Sequence, residues 1–412
     1  MSIRKRLVIL GSGFAAFMIL KKIDVRHYDV TIISPRNHFL FTPLLPSTTV
    51  GTVELRSIIE PIRKARRGTR YIQAEALALD IDARSISCRG HDIDSDFSHE
   101  YDYLAIAIGA DNNTFGIPGV AEHAVFLKEL SDARAIREKI ISCLERADLP
   151  HITNERREQL LHFVVVGGGP TGVELAAELN DLLDEDLNKS YPNLVGLIRI
   201  SLYEAMETIL TTFDEKLREY TMAHFARQGI ELHLQSPVAE VGSGYLKLKS
   251  GEVIQAELIV WSTGYAPRSF VRSLPFETER SGRILTDEYL RVIGHEEIFA
   301  LGDCATYVEG PLPQTAQAAM QAGKFLGTHL NSVARGKSIE PFHFKNLGML
   351  AYVGDHKALA DIPGADIQLR GETTYFFWRS AYLTRLVSLK NKVLVLFDWI
   401  KARLFGRDLS KF

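Results

Sequence analysis

Phe163-Val164-Val165-Val166-Gly167-Gly168-Gly169-Pro170-Thr171-Gly172, running on into Val173–Leu183, decides the fold of this chain. A β-branched run that enters a glycine-rich turn and leaves as an apolar helix predicts a parallel strand buried on both faces. The pattern occurs once more near the N-terminus, as Leu7-Val8-Ile9-Leu10, Gly11-Ser12-Gly13-Phe14-Ala15-Ala16 and an apolar helix to about Ile23. Such glycines let the backbone approach a pyrophosphate, which then lies at a helix N-terminus where free N–H groups and the helix dipole favour anions. One motif alone is weak evidence, because glycines also serve plain turns. Two in full strand–turn–helix context, 156 residues apart, predict two nucleotide-binding units and an α/β fold.

Each unit has a second strand in place, Val30–Ile33 and Ile198–Tyr203. Glu204 closes the second and is suited to accept hydrogen bonds from a ribose diol while repelling a 2′-phosphate, which predicts NADH rather than NADPH. The equivalent place in the first unit holds Ser34-Pro35-Arg36, with no acid. Ser131–Arg146 reads as a helix, Asp148–Gln159 as a polar linker, Asp184–Leu197 as an exposed excursion and Asn37–Val53 as a loop. The helix Gln314–Ala334 is expected to begin at Pro313 and to stop at Gly336. Tyr103–Gly109 and Leu258–Gly264 are buried strands that end in glycine, the latter through Thr263.

The chain has 412 residues, 46% hydrophobic and 24% charged, with a formal net charge of -3. That suits two or three soluble domains and gives no support to a nucleic-acid binder with a large basic surface. Cys88, Cys143 and Cys304 show no C-x-x-C spacing, which argues against a disulfide scaffold, a structural zinc site or a two-cysteine redox centre. Asp92-x-Asp94-x-Asp96 has the spacing that opens a calcium loop, but Phe97 replaces the required glycine and Tyr103 the closing Glu, so no metal is expected. Arg4-Lys5-Arg6 precedes only four apolar residues before Gly11, too few for a signal peptide.

No stretch approaches the ~20 apolar residues of a spanning helix. The segment Arg379–Phe412 carries eight basic residues against two acidic ones, leaving 40 basic against 49 acidic elsewhere. Leu386, Val393, Phe397, Ile400 and Leu404 form one apolar helical stripe, with Trp378, Tyr382, Trp399 and Phe405 as interfacial aromatics. Such a helix is suited to lie on an anionic bilayer surface without crossing it.

Ile298-Phe299-Ala300-Leu301-Gly302-Asp303 resembles the flavoprotein motif whose aspartate meets FAD. Ser34–Pro46, Thr114–Val120, Gly167–Glu178, Ala316–Gln321 and Phe397–Lys401 resemble the type II (alternative, non-proton-pumping) NADH:quinone oxidoreductases, particularly the mitochondrial-type members. The resemblance implies two Rossmann-like dinucleotide-binding domains of a two-dinucleotide flavoprotein fold, with a C-terminal membrane-docking region. It places an FAD domain at 1–125 and 272–340, an NADH domain at 126–271 and the docking region at 341–412. It implies that Gly11, Ser12, Gly13, Phe14, Ala15, Ser34, Pro35, Arg36, Thr42, Pro43, Gly109, Gly302, Asp303, Ala316 and Gln317 hold FAD. Gly167, Gly168, Gly169, Pro170, Thr171, Gly172, Glu174, Glu204, Thr263 and Gly264 would hold NADH, with Glu174 beside the nicotinamide.

Gln317 and Gln321, i and i+4 on one helix face, would flank a quinone. The adjacent stripe Ala316, Met320, Gly323 and Gly327 is expected to approach the flavin. The implied enzyme oxidises NADH and reduces quinone at the mitochondrial inner membrane or a bacterial cytoplasmic membrane, and a homodimer joined through the C-terminal region is compatible with the tail. Three alternatives stay open. A flavin reductase for a soluble carrier sits poorly with the basic tail, and a sulfide:quinone oxidoreductase would need a cysteine pair. A non-enzymatic NADH-sensing flavoprotein is the third.

Overall fold

The structure, a computed structural model, describes residues 4–91, 95–363 and 367–410. Asp92 and Asp94 of the acidic spacing and Lys411 of the basic tail lie outside the described residues. Numbered along the chain, the elements that matter begin with β1 (Lys5–Leu10), α1 (Phe14–Lys22), β2 (Tyr28–Ile33), β3 (Thr69–Ile72) and β4 (Tyr103–Ile106). Next come α2 (Leu130–Ala147), β5 (His162–Val166), α3 (Pro170–Leu182), β6 (Arg199–Tyr203), β7 (Glu231–His233) and β8 (Leu258–Trp261). The last are β9 (Ile298–Ala300), α4 (Ala316–Val333), β10 (Met349–Gly354), β11 (Lys357–Ile362), β12 (Ile367–Gly371), α5 (Glu372–Arg385) and α6 (Leu389–Phe405).

The chain packs as two compact units, one of residues 1–40, 59–111 and 265–346, the other of 41–58, 112–264 and 347–412. The changeovers fall at 111/112 and 264/265, and residues 347–412 pack within the second unit. The first unit holds a parallel sheet in the order β9-β4-β1-β2-β3. The second holds β8-β5-β6-β7, also parallel, with Val125–Phe126 at its edge. Both central strands, Leu7–Leu10 and Phe163–Val166, are buried along their length, as their unbroken apolar runs require.

In the first unit α4 lies directly against α1. A Cβ added at Gly323 would stand 2.2 Å from the Ala15 carbonyl oxygen, and one at Gly327 would stand 2.7 Å from Lys22 Cβ. The glycines of the small-residue stripe therefore serve a helix–helix contact, not the approach to a flavin expected from spacing. The helix starts at Ala316, two residues later than expected, because the Thr315 hydroxyl caps it by accepting the Ala318 N–H at 3.2 Å.

Two segments are more ordered than their composition suggests. Asn37–Val53 contains a strand, a 3-10 turn at Thr42–Leu44 and a short helix at Leu45–Thr49, all but its first residues largely buried. Its hydroxyls make this possible: Thr48 and Thr49 donate to the carbonyls of Leu45 and Pro46 at 2.7 and 2.6 Å. Asp184–Leu197 is largely exposed, as expected, but it is not unstructured: it opens with a π-turn at Leu183–Leu187 and buries Asp186, Leu187 and Leu194.

The C-terminal sheet β10-β11-β12 is antiparallel. Its first hairpin turns through Asp355 and His356 at φ 50° and 54°, left-handed values unusual for residues other than Gly and Asn. Helix α6 is inverted relative to an ordinary surface helix. Its polar residues Asn391 and Asp398 face inward, where Asn391 Nδ2 donates to the Ser57 carbonyl at 2.8 Å and Asp398 accepts the Glu54 N–H at 3.0 Å. Val393, Phe397, Ile400 and Leu404 face outward, Phe397 61% and Leu404 69% exposed. Leu386, Trp378, Tyr382 and Trp399 are not interfacial but buried in an aromatic cluster, in which Trp378 lies 4.6 Å from Tyr382 and 6.2 Å from Trp399. Phe405 alone of the four aromatics is fully outward. Among the described residues no helix is long and apolar enough to cross a membrane.

Replacing Gly323 by valine should cost about 3 kcal/mol, at the upper end of overpacking penalties, and lower the thermal midpoint accordingly. Gly310→Ala, where nothing lies within 4 Å, should leave the midpoint unchanged in the same thermal scan.

Candidate functional site

The first crevice opens at the C-terminal ends of β1, β2, β4 and β9. Gly11, at φ 105°, donates to the Ile33 carbonyl at 2.9 Å, and a Cβ there would lie 2.3 Å from the Ala107 oxygen. Gly13 is the N-cap of α1, with no side-chain cap and nothing within 4 Å of where a Cβ would be. Gly109 is equally open, so the turn leaves a cradle above a helix N-terminus. At the end of β2 the missing acid is replaced by donors. The Ser34 hydroxyl donates to Ser12 Oγ at 3.1 Å, Arg36 Nε donates to the same oxygen at 3.3 Å, and Tyr71 holds the Ser34 carbonyl at 2.8 Å.

A Cβ added at Gly302, φ 79°, would stand 3.7 Å from the Ala15 and Ala319 methyls, so Asp303 and the start of α4 lie at the same end of the sheet. The open glycine cradle and hydroxyl–guanidinium cluster fit a dinucleotide such as FAD. Ala316 and Gln317 are part-buried on the first turn of α4. Gln321 is engaged: its Nε2 donates to the Lys345 carbonyl at 2.8 Å and its Oε1 accepts the Lys345 N–H at 3.0 Å. A quinone contact at Gln321 would first have to open that brace. Thr42 and Pro43, also expected around FAD, belong to the second unit.

The second crevice repeats the design. Gly167 donates to the Tyr203 carbonyl at 2.9 Å, and a Cβ on it would stand 2.8 Å from Thr263 Cβ. Gly172 is closer still, 2.0 Å from the Gly167 oxygen, while Gly169 is the open N-cap of α3 with Pro170 at its first position. Thr171 follows in the same first turn. Glu204 is oriented by two amides, accepting from Gly168 at 2.6 Å and Met206 at 2.8 Å. Those bonds leave lone pairs for a ribose diol, so the residues fit NADH. Gly264 is covered by Phe115, whose Cζ lies 2.5 Å from where a Cβ would be; Phe115 itself has φ 53° and is exposed.

Helix α3 carries a row of carboxylates, Glu174, Glu178 and Asp181, all buried on a helix otherwise apolar. Glu174, 6% exposed, accepts the Tyr352 N–H at 3.1 Å and the Tyr382 hydroxyl at 3.5 Å. Burial pushes its carboxyl up to about 8, with the Glu178 charge adding to the rise and the Tyr352 amide, Trp378 and Tyr382 opposing it. Glu178 accepts the Ser47 hydroxyl at 2.5 Å and the Thr52 hydroxyl at 2.7 Å. Asp181 accepts the Tyr352 hydroxyl, and the Asp355 N–H at 2.9 Å from the strained hairpin turn. Burial, then Glu178, raises Asp181 to about 7.

Sequence reasoning found Glu174 but missed Glu178, Asp181, Tyr352, Tyr382, Thr52 and Arg407. The visible signal was three acids at i, i+4 and i+7 on a helix whose other residues, Thr171 and Asn180 apart, are apolar or glycine. The thiols of Cys88, Cys143 and Cys304 are all buried, and burial raises each to about 11, which removes the reactivity a cysteine-pair mechanism needs. Among the described residues no group of three or more His, Cys, Asp or Glu could hold a metal ion.

Residues 5–323 match the pyridine nucleotide-disulphide oxidoreductase family, and residues 346–408 match the NDH2 C-terminal domain. A probable NADH dehydrogenase of Dictyostelium discoideum is 44% identical over 99% of this chain and 91% of its own length. The external NADH-ubiquinone oxidoreductase 2 of Saccharomyces cerevisiae mitochondria is 40% identical, over 99% of this chain and 82% of its own. The solved structure of NDH2 from Plasmodium falciparum in complex with NADH superposes with a TM-score of 0.94 at 29% identity, covering 99% of this chain and all of that one. A sulfide:quinone oxidoreductase of Aquifex aeolicus, at 16% identity and a TM-score of 0.74, shares the fold. With identities of this size running from end to end over two glycine cradles of matching design, the chain belongs to the type II NADH:quinone oxidoreductases, within the pyridine nucleotide-disulphide oxidoreductase family.

Proposed function

We propose that this chain oxidises NADH and reduces a quinone to its quinol, without proton pumping, using FAD held at the first crevice. The observation that carries the reading is the pair of open glycine cradles, one with donors at its ribose end and one with the amide-oriented carboxylate of Glu204. FAD, when bound, supplies the flavin ring that takes hydride from NADH and passes two electrons to quinone. Gly11 turns the backbone tightly and Gly13 and Gly109 would leave room for it, with Ser12, Ser34 and Arg36 at the ribose end and Asp303 at the phosphate and ribityl chain. Gly167–Gly172 receive the NADH pyrophosphate, and Glu204 selects the unphosphorylated ribose.

Glu174, held near neutrality by burial, keeps a proton on its carboxyl at physiological pH beside the nicotinamide. Gln317 contacts the quinone. The outward apolar face of α6, with Phe376 and Phe377 of α5, rests on an anionic membrane surface, the mitochondrial inner membrane for a mitochondrial-type member. A homodimer joined through that face is the competing use.

Purified protein should show a flavin spectrum that bleaches with NADH under anaerobic conditions and recovers on adding a soluble quinone; no recovery would defeat the reading. Gln317→Ala should slow recovery about tenfold, the value of one lost hydrogen bond, and leave bleaching nearly intact.

Glu174 can be tested without turnover. Its folded-state value lies above that of an unfolded carboxyl, so the stability it contributes is complete below about 4.5 and declines as pH rises towards 8. Glu174→Gln should therefore flatten the decline of the denaturation midpoint between pH 5 and 8. Equal slopes in both proteins would mean that Glu174 does not titrate there.

Membrane docking calls for surface substitutions rather than removal of the tail, whose inner face holds the unit together. Phe397→Glu with Leu404→Glu should retain FAD yet abolish sedimentation with vesicles containing anionic phospholipid. Unchanged sedimentation would count against docking, and a shift from dimer to monomer would favour the homodimer.

A further inference from the structure

Arg407, the last arginine of the chain, is buried at the end of α3 in a cluster of acids and is not explained by membrane docking. Its Nη1 donates to Asp186 Oδ2 and Glu185 Oε2, each at 2.7 Å, and its own N–H is accepted by Asp186 Oδ1 at 3.0 Å. Gly406 before it, at φ 78°, has room for no side chain, since a Cβ would lie 2.5 Å from Asp186 Oδ1. The remaining face of the guanidinium reaches the row itself. Nε donates to Thr52 Oγ1 at 2.9 Å, and the single Thr52 hydroxyl proton is donated onward to Glu178 Oε2 at 2.7 Å. The chain of donors runs one way, from cation through hydroxyl to carboxylate.

Two carboxylates one helical turn apart in a dry interior favour a state in which one carries the charge and the other the proton. Glu178 has Ser47, Thr52 and, through Thr52, Arg407. Glu174 has the Tyr352 amide, Trp378 and Tyr382, and among the described residues it forms no ion pair. Asp181, between Tyr352, Asp355, Glu178 and the Arg407 side, is the third member.

We propose that Arg407 is a positioning residue for the reaction: through Thr52 it fixes the negative charge of the row on Glu178 and so leaves a proton on Glu174. The inference rests on the reading of Glu174 given above. It assigns the C-terminal strap a role in the NADH half of the reaction, separate from the outward face of α6. With Arg407 neutralised, the row loses the cation that holds its charge at Glu178 through Thr52. Glu174 then loses the negative neighbour that raises it, and its own proton leaves at lower pH.

The test uses the full chain with FAD bound and follows the infrared band of protonated carboxyl groups as pH is raised. Wild type should lose a component with a midpoint near pH 8 that Glu174→Gln removes, while Asp181→Asn identifies the neighbouring component near 7. If Glu174→Gln leaves the component in place, the reading of Glu174 itself fails. If it removes it, Arg407→Gln should move that midpoint down by roughly one unit, the effect of losing one close charge, and Arg407→Lys should restore most of it. Thr52→Val breaks the bridge without removing the charge and should shift the midpoint in the same direction. It decides the matter where Arg407→Gln does not retain FAD. A Glu174 midpoint unchanged in Thr52→Val, or in an Arg407→Gln protein that retains FAD, overturns the proposal.

Discussion

Charge buried without a partner is the constraint on which the second unit turns. Glu174, Glu178, Asp181 and Asp186 lie on or just beyond α3, the helix that begins at the open glycine cradle. Left unsatisfied, each would cost several kcal/mol of desolvation. The structure meets that cost with groups from three distant stretches: hydroxyls of Ser47 and Thr52, the Tyr352 and Asp355 amides, and the guanidinium of Arg407. A segment of 18 residues inserted in the first nucleotide unit and the chain's own C-terminus thus fold with the second unit because the polar partners of α3 are located there.

The two crevices are built on the same parallel-sheet logic but finish differently at the ribose. In one, a carboxylate is clamped by the amides of Gly168 and Met206; in the other, two serine hydroxyls and a guanidinium share the place. The first presents an acceptor and the second presents donors, so the same architecture is finished in two chemically different ways. Around them the glycines divide into those that leave space for a ligand, Gly13, Gly109 and Gly169, and those that let protein meet protein, Gly172, Gly323 and Gly327.

Both cradles were legible from the sequence because each requires an ordered run of residue types over a dozen positions. Glu204 was legible because strand length fixes where its acid falls. The acid row was less so: Glu178 and Asp181 resemble surface residues until their helix is known to be covered on that side. Gly323 and Gly327 showed that something approaches closely but not what, and α1 proved to be the neighbour. Trp399 was misjudged because an inverted helix presents the same periodicity as an ordinary one, and Trp378 and Tyr382 because aromatic side chains suit a core as well as an interface. Only the location of the core distinguishes them, and for α6 it was set by Ser57 and Glu54, more than three hundred residues away in sequence.

The position of Arg407 has a consequence for how the protein is made. Synthesis proceeds from the N-terminus, and helix α3 emerges more than two hundred residues before Arg407. Its strand, turn and apolar face can form then, yet the guanidinium that answers its acids is made only after that intervening stretch. The carboxylates must stay hydrated or protonated until Arg407 arrives, so the second unit cannot close around its acids before the strap that follows α6 has been made.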